Sequence, residues 1–475
     1  MVHERVRWSH RNENDADAWH GDRDTGNRAG SDRGGYSPVT PDTADHSGDW
    51  RSCAPEPDRL PDPSDEPESG NAVLEWNRIA LDAIRDASVE QPPADVPYAA
   101  RALALESLAV FDTLKAIEGE PGFLVTLDAP EGLSSEAAVG AAAHAILTEL
   151  YPDYATELDE ALETSLSTIP DGPAEDAGVA FGREVASAMM WMRADDGSDD
   201  LARVEPVAGY GPGEYRPTPP DQGEALQPHW GDVRPFVLGD GDQIRPGPPP
   251  GVRSAEYAAD LAEVRIRGGA ESDERTSEQT RDALWWANDA GGYTPVGQWN
   301  EIADGLLADQ GRSPMESAYL LAELNVGLTD ALIAGWEAKY TYGSWRPVTA
   351  LHEADADGNR ATSADPDWLP LLSPTPSHPE YVSGHSLIGG VADTVMTDFF
   401  GPIPFSGTSD MLPGVALHFD DFAQAAQEEA DSRIYAGVHF RYSTETGLDM
   451  GEQVGVMVTD VFERFAPSQS DGLLA

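Results

Sequence analysis

Two lysines, Lys115 and Lys339, and one cysteine, Cys53, are all that 475 residues contain of those two types. A single cysteine excludes an intramolecular disulfide, and no redox compartment follows from it. No run of about 18 apolar residues is present, so no membrane span is expected. The first residues lack an apolar signal core and a twin arginine, which leaves the cytoplasm as the default location, export not being excluded by that alone. Apolar residues nowhere alternate with polar ones in the strand pattern, and no repeat recurs at solenoid spacing. The expectation is an all-α protein.

Acid is what the chain has in excess. Asp and Glu number 85 against 30 Lys and Arg, a formal charge of −55. Carboxylates hold water and cations at a surface, whereas the apolar stem of lysine does not, so the composition reads as that of a halophile working in molar salt. There the Debye length is about 3 Å and self-repulsion of an acidic shell is screened. A surface of this sign argues against nucleic acid and anionic membranes as partners.

Residues 1–70 are rich in Asp, Arg, Gly, Ser and Pro without periodicity, and read as a disordered tail. Helical spacing starts at Asn71, with Val73, Leu74, Trp76, Ile79, Ala80 and Ile84 on one face. Further helices are expected from Ser134 to Leu150, Ala174 to Met192, Ser254 to Ile266 and Ser277 to Asn288. The Pro/Gly-rich stretch between Gly209 and Gly251 reads as a long surface connection. The division expected is an N-terminal helical region, 71–265, and a C-terminal helical bundle, 266–475.

One helix has an unusually clear start, with Ser313 as N-cap, Pro314 in the first turn and Glu316 three residues on. Its apolar face runs through Leu320, Leu324, Leu328 and Leu332 to Trp336 and Lys339, which share a side. Pro347 biases Arg346 away from helix, placing Lys339 on a helix end and Arg346 on the loop beyond it. Ser383-Gly384-His385 follows a proline-extended stretch containing His378 and precedes a helical one. Ser383 therefore falls at an N-cap, where free N–H groups and the dipole favour an anion. Gly384 allows close backbone approach, and His385 is placed for acid–base work. Phe419 to Tyr435 is helical by spacing. Arg433 and His439 are six apart and would not share a helix face, but Gly437 can turn His439 back. Each motif alone is explained by a helix cap, a helix-end arginine or a packed histidine.

Together, K-x6-R-P, S-G-H and S-R-x5-H in that order resemble the vanadium-dependent haloperoxidases and the type-2 phosphatidic acid phosphatase superfamily. Ala72-Val-Leu-Glu-Trp-Asn-Arg, Trp230-Gly-Asp-Val-Arg-Pro-Phe, Arg275-Thr-Ser-Glu-Gln-Thr and Trp299-Asn extend the resemblance, to the bacterial and archaeal haloperoxidase-like branch, across residues 71–465. It implies packed helical bundles with a vanadate site in the C-terminal half, which phosphate can also occupy. Lys339, Arg346 and Arg433 would hold the equatorial oxygens, completed by Ser383 and the Gly384 N–H. His439 would be the axial vanadium ligand and His385 the acid–base residue at the apical oxygen. Trp336 and His378 match positions bordering the halide site. The implied partners are hydrogen peroxide, halide and an organic acceptor, with homo-oligomerisation left open. Two departures stand out. Ser443 occupies the position where the pattern often continues with Asp, which puts the orientation of His439 in doubt. An acid to steady one of the arginines is also not assignable.

The same residues allow three readings. A haloperoxidase would use His385 for protons and the charge of Lys339 to polarise bound peroxide. A soluble acid phosphatase would use His439 as nucleophile and His385 as acid. A non-catalytic oxyanion-binding helical protein needs neither. The acidic run Glu353 to Gly358 resembles the start of a calcium loop but lacks Glu at its twelfth position, Ala364, and reads as surface. His144 is expected to be packed and His418 solvated.

Overall fold

The computed structural model describes residues 70–90, 95–200, 209–288 and 291–467; the expected tail and Cys53 lie outside them. Thirteen α-helices of this part pack around one apolar core. α1 (Ala72–Glu90) buries Val73, Leu74, Trp76, Ala80 and Ile84, as its spacing requires. α2 (Val96–Ile117) went unread in the sequence for a physical reason. It is buried on nearly every side, so it carries no amphipathic stripe. α3 (Ser135–Leu150), capped by Ser134, packs on α5 (Pro173–Arg193), with the short α4 (Ala155–Ser167) alongside. A Cβ at Gly182 would stand 2.1 Å from the Ala138 carbonyl, so glycine sets how closely α3 and α5 approach.

The 209–251 segment is more than a surface connection, which corrects the expectation. Tyr215 and Trp230 are fully buried. The fully buried Asp330 carboxylate accepts the N–H groups of Phe236, Val237 and Leu238 at 2.7–2.9 Å. An irregular chain can lie on a core only when its donors are met, and here one carboxylate meets three.

α6 (Ala255–Arg267) and α7 (Ser277–Trp285) start at the Ser254 and Thr276 caps, and α7 stops short of the expected Asn288, which sits at φ +44°. α8 (Thr294–Asp309) leads to α9 (Pro314–Tyr342), where Ser313 and Glu316 form the capping box. α9 is long and apolar enough to cross a membrane, but its apolar stretch lies wholly inside the protein. α10 (Pro347–His352), α11 (Gly384–Phe400), α12 (Phe422–Tyr435) and α13 (Arg441–Phe462) complete the set. α11 is enclosed by α9, α12 and α13.

One strand pair departs from the all-α expectation: β1 (Phe405–Gly407) runs antiparallel to β2 (Leu417–Phe419). Phe419 is thus in a strand, not at a helix start. The Asp421 side chain caps α12 by accepting the Gln424 N–H at 2.8 Å, and the Phe419 ring packs on Phe405 at 5.1 Å. His144 is buried against Asp159, and exposed His418 meets Ser406. Asp355 and Asp357 spend their oxygens on Ala364, Asn359 and Thr362 within their own loop.

Candidate oxyanion site

Four helix ends converge on one buried point. α9 delivers Lys339 in its last turn and ends at Gly343, left-handed at φ +53°. Arg346 is the N-cap of α10, held extended by Pro347. Ser383 caps α11, its Oγ accepting from the Ser386 N–H, so Gly384 and His385 fall in the first turn. Arg433 lies in the last turn of α12. Gly437, at φ +78°, then reverses the chain, and the N–H groups of both Val438 and His439 donate to the Arg433 carbonyl at 3.2 and 3.3 Å. That reversal returns His439 to the arginine side. A Cβ at Gly437 would stand 2.3 Å from the Gly268 carbonyl, so glycine is required there twice over.

Lys339, Arg346, Ser383, Arg433 and His439 are each at most 3% exposed. Arg346 ties the motifs together. Its Nε donates to the His378 carbonyl at 2.9 Å and Nη1 to the Val438 carbonyl at 2.9 Å. Nη1 also donates to His439 Nε2 at 3.2 Å, and Nη2 lies 3.1 Å from His378 Nδ1. Burial lowers the Arg346 pKa to about 10, so it stays charged at neutral pH. Burial and the Arg346 charge also pull Lys339 down. Yet Lys339 Nζ donates to the carbonyls of Pro379 and Glu380, both at 3.1 Å, and to that of Val382. Only an ammonium has three N–H donors for three carbonyls, so Lys339 is assigned as charged.

The histidines are held neutral, each by burial first. Arg433 adds to the effect on His385, Arg346 and Lys339 to that on His439, and Lys339 and Arg346 to that on His378. Their tautomers follow from their partners. His439 Nδ1 donates to Glu380 Oε1 at 2.9 Å, leaving the lone pair on Nε2. His385 Nε2 faces the Ala287 carbonyl at 3.3 Å, which can only accept, so its lone pair is on Nδ1. The Trp336 ring lies 5.1 Å from His378 and 5.7 Å from Lys339 Nζ, and its buried indole N–H has no acceptor. The structure therefore brings all nine sequence candidates to one place.

Two carboxylates were missed. Glu380 is the one acid between Asp367 and Asp393, a signal readable beforehand, since a ligating imidazole needs an acceptor for its second nitrogen. Its burial raises its pKa to about 7, opposed by the Phe440 N–H, Arg346 and Lys339. Glu429, one helical turn before Arg433, accepts the Trp299 indole N–H at 2.9 Å. Burial pushes it to about 8, and the charge of Arg433 pulls the other way. It feels the charge of Arg433 and sits in space made by Gly389, where a Cβ would lie 2.8 Å from its oxygen.

Three buried cations outnumber the two carboxylates near them, Glu380 and Glu429, and form a set with excess positive charge, which is costly when buried. A compact oxyanion completes it. The donor set fits vanadate: the His439 Nε2 lone pair, which accepts from Arg346 Nη1 at 3.2 Å, could face vanadium, and Lys339, Arg346, Arg433, Ser383 and Gly384 would surround the oxygens.

Fold and site together define a helical protein with a buried cluster of cations and histidines in its C-terminal half. Comparison with known proteins carries this further. Residues 319–467 match the family described as the second helical-bundle domain of vanadium chloroperoxidase. The vanadium chloroperoxidase of Curvularia inaequalis is 25% identical over 500 aligned positions, covering 81% of each chain. The solved structure of a bacterial vanadium-dependent iodoperoxidase is 26% identical, with a TM-score of 0.71 over 82% of this chain and 96% of that one. A holo-type bacterial vanadium-dependent chloroperoxidase shares the fold at 19% identity, with a TM-score of 0.63 over 82% and 97%. These matches support a place for the chain in the vanadium haloperoxidase family.

Proposed function

We propose that this chain is a vanadium-dependent haloperoxidase that oxidises halide with hydrogen peroxide, giving hypohalous acid or a halogenated organic product, in molar salt. When bound, vanadate supplies a Lewis-acid centre that activates peroxide without changing its own oxidation state. The protein's part is binding, charge and protons. His439 would offer Nε2 to vanadium, and Arg346 and Arg433 would hold the oxygens by charge-assisted hydrogen bonds of about 1.5–3 kcal/mol each, while Lys339, whose three N–H groups go to carbonyls, would act through its charge. Ser383 and the Gly384 N–H complete the hold at the N-terminus of α11. Neutral His385 can accept a proton at Nδ1 and return it, anchored through Nε2 to Ala287.

The observation that carries the peroxidase reading is the Trp336–His378 pair. A buried indole with an acceptor-free N–H, its ring 5.1 Å from the His378 imidazole and 5.7 Å from the Lys339 ammonium, suits a halide, which needs few donors and a low-polarity wall. A second reading rests on the His439 lone pair. It also suits a nucleophile, so phosphate-ester hydrolysis through a phosphohistidine uses the same cradle.

One experiment separates the two: peroxide-dependent bromination in molar potassium chloride, with and without orthovanadate, beside phosphate-ester hydrolysis. Bromination that requires vanadate and is blocked by phosphate supports the proposal. Ester hydrolysis inhibited by vanadate, without bromination, refutes it in favour of the phosphatase.

A further inference from the structure

With Ser443 in place of an aspartate four residues after His439, another group has to orient the imidazole. We infer that Glu380 is the positioning residue of His439. It fixes the imidazole with its proton on Nδ1 and its lone pair on Nε2, and so sets the ligand atom before any anion arrives. The inference deepens the reading above and rests on it for the identity of the ligand.

Four contacts carry it. Glu380 Oε1 accepts from His439 Nδ1 at 2.9 Å and from the Phe440 backbone N–H at 3.0 Å. One oxygen thus holds both the ring and the peptide that follows it. The loop bearing Glu380 is itself fixed, because its carbonyl accepts from Lys339 Nζ at 3.1 Å and its N–H donates to the Ser344 carbonyl at 2.9 Å. Ser443 Oγ makes a long contact to the Glu380 carbonyl at 3.5 Å and steadies the Glu380 carboxylate, so it acts on Glu380 and has no hydrogen bond to the imidazole. On the opposite edge of the ring, Arg346 Nη1 donates to Nε2, which agrees with a lone pair there. Glu380 is fully buried and acts through His439, touching no reacting atom itself. A carboxylate acceptor also makes the opposite nitrogen a better donor to a metal.

Because both bonds end on the same oxygen, the variants discriminate. Glu380→Gln keeps an acceptor oxygen for both N–H groups but removes the charge. Glu380→Leu removes both. The readouts are the ¹⁵N shifts of His439 in histidine-labelled, anion-free protein, assigned by loss in His439→Gln, and orthovanadate affinity by calorimetry in molar potassium chloride. In the native protein Nδ1 should read as protonated and Nε2 as bare. Glu380→Gln should keep that pattern and bind vanadate about threefold to tenfold more weakly. Glu380→Leu should show mixed tautomers and lose about 10–100-fold in affinity. A native protein with its proton on Nε2 overturns the inference, as does a Glu380→Leu variant with native shifts and affinity. A purely structural role would lower stability in both variants without separating their tautomers. If the tautomers shift as stated but the native protein does not bind vanadate, the functional reading falls while the hold of Glu380 on His439 stands.

Discussion

Arg346 is the hub of the site, and replacing it with lysine tests whether geometry or charge matters there. Arg346→Lys keeps a cation but exchanges a planar fork for a shorter-reaching ammonium. The guanidinium serves two carbonyls, of His378 and Val438, and two imidazole rings. An ammonium in the same place can serve one carbonyl, leaving the other without a donor at about 1–3 kcal/mol. That loss belongs to the anion-free protein, and a urea midpoint in molar salt reads it. Loss of the hold on the rings appears on binding instead. One or two charge-assisted bonds at about 1.5–3 kcal/mol each weaken vanadate by at least tenfold, since 1.4 kcal/mol is a factor of ten. Stability within about 0.5 kcal/mol together with affinity within threefold would show that Arg346 acts as a point charge, and the argument from geometry would fail.

Two further predictions separate binding, turnover and core. His439→Ala should abolish tight vanadate binding by calorimetry, whereas His385→Ala should keep binding and lose bromination; tight binding retained in the first variant removes the ligand assignment. Glu323, fully buried with neither oxygen hydrogen-bonded, has its pKa raised from 4.5 to about 8 by burial and by Asp398. A raised acid keeps its proton in the fold while the unfolded chain gives it up. Stability is therefore lost as pH rises from about 4.5 through 8, by up to about 5 kcal/mol. Glu323→Met should remove that slope in urea titrations at pH 5 and 9, and parallel profiles for variant and native protein would contradict it.

Legibility in the sequence followed locality. Lys339 and Arg346 could be placed because Ser313, Glu316 and Pro347 fix both ends of one helix by local chemistry. The turn at Gly437 was readable for the same reason. α2 was not, because a helix buried all round has no contrasting face. The start of α12 was misplaced at Phe419 because one aromatic satisfies either a helix stripe or a short strand, and only Phe405, 14 residues earlier, decides between them. Asp330 and Glu380 act on segments about 60 to 90 residues distant, on Phe236–Leu238 and His439. No local pattern reveals such a pairing, although the isolation of Glu380 in its stretch was a usable clue.

A chain at −55 that seals three cations in one site separates its electrostatics into two regimes, and salt should act on them in opposite ways. The net negative charge is an excess of acids over bases, and exposed acids are screened within about 3 Å in molar salt. Lowering potassium chloride from about 3 M to 0.1 M restores their repulsion and should unfold the protein, read by circular dichroism at 222 nm. Lys339, Arg346 and Arg433 are screened far less, because burial excludes the ions that would do it. Within the folded range, between about 1.5 and 3 M salt, stability should therefore climb while vanadate affinity stays within about threefold. A salt whose anion is a poor halide substrate, such as potassium fluoride, avoids competition at the halide site proposed beside Trp336 and His378. Affinity that falls steeply with salt over that interval would mean the cradle is open to solvent, and the case for a sealed oxyanion site would not survive it.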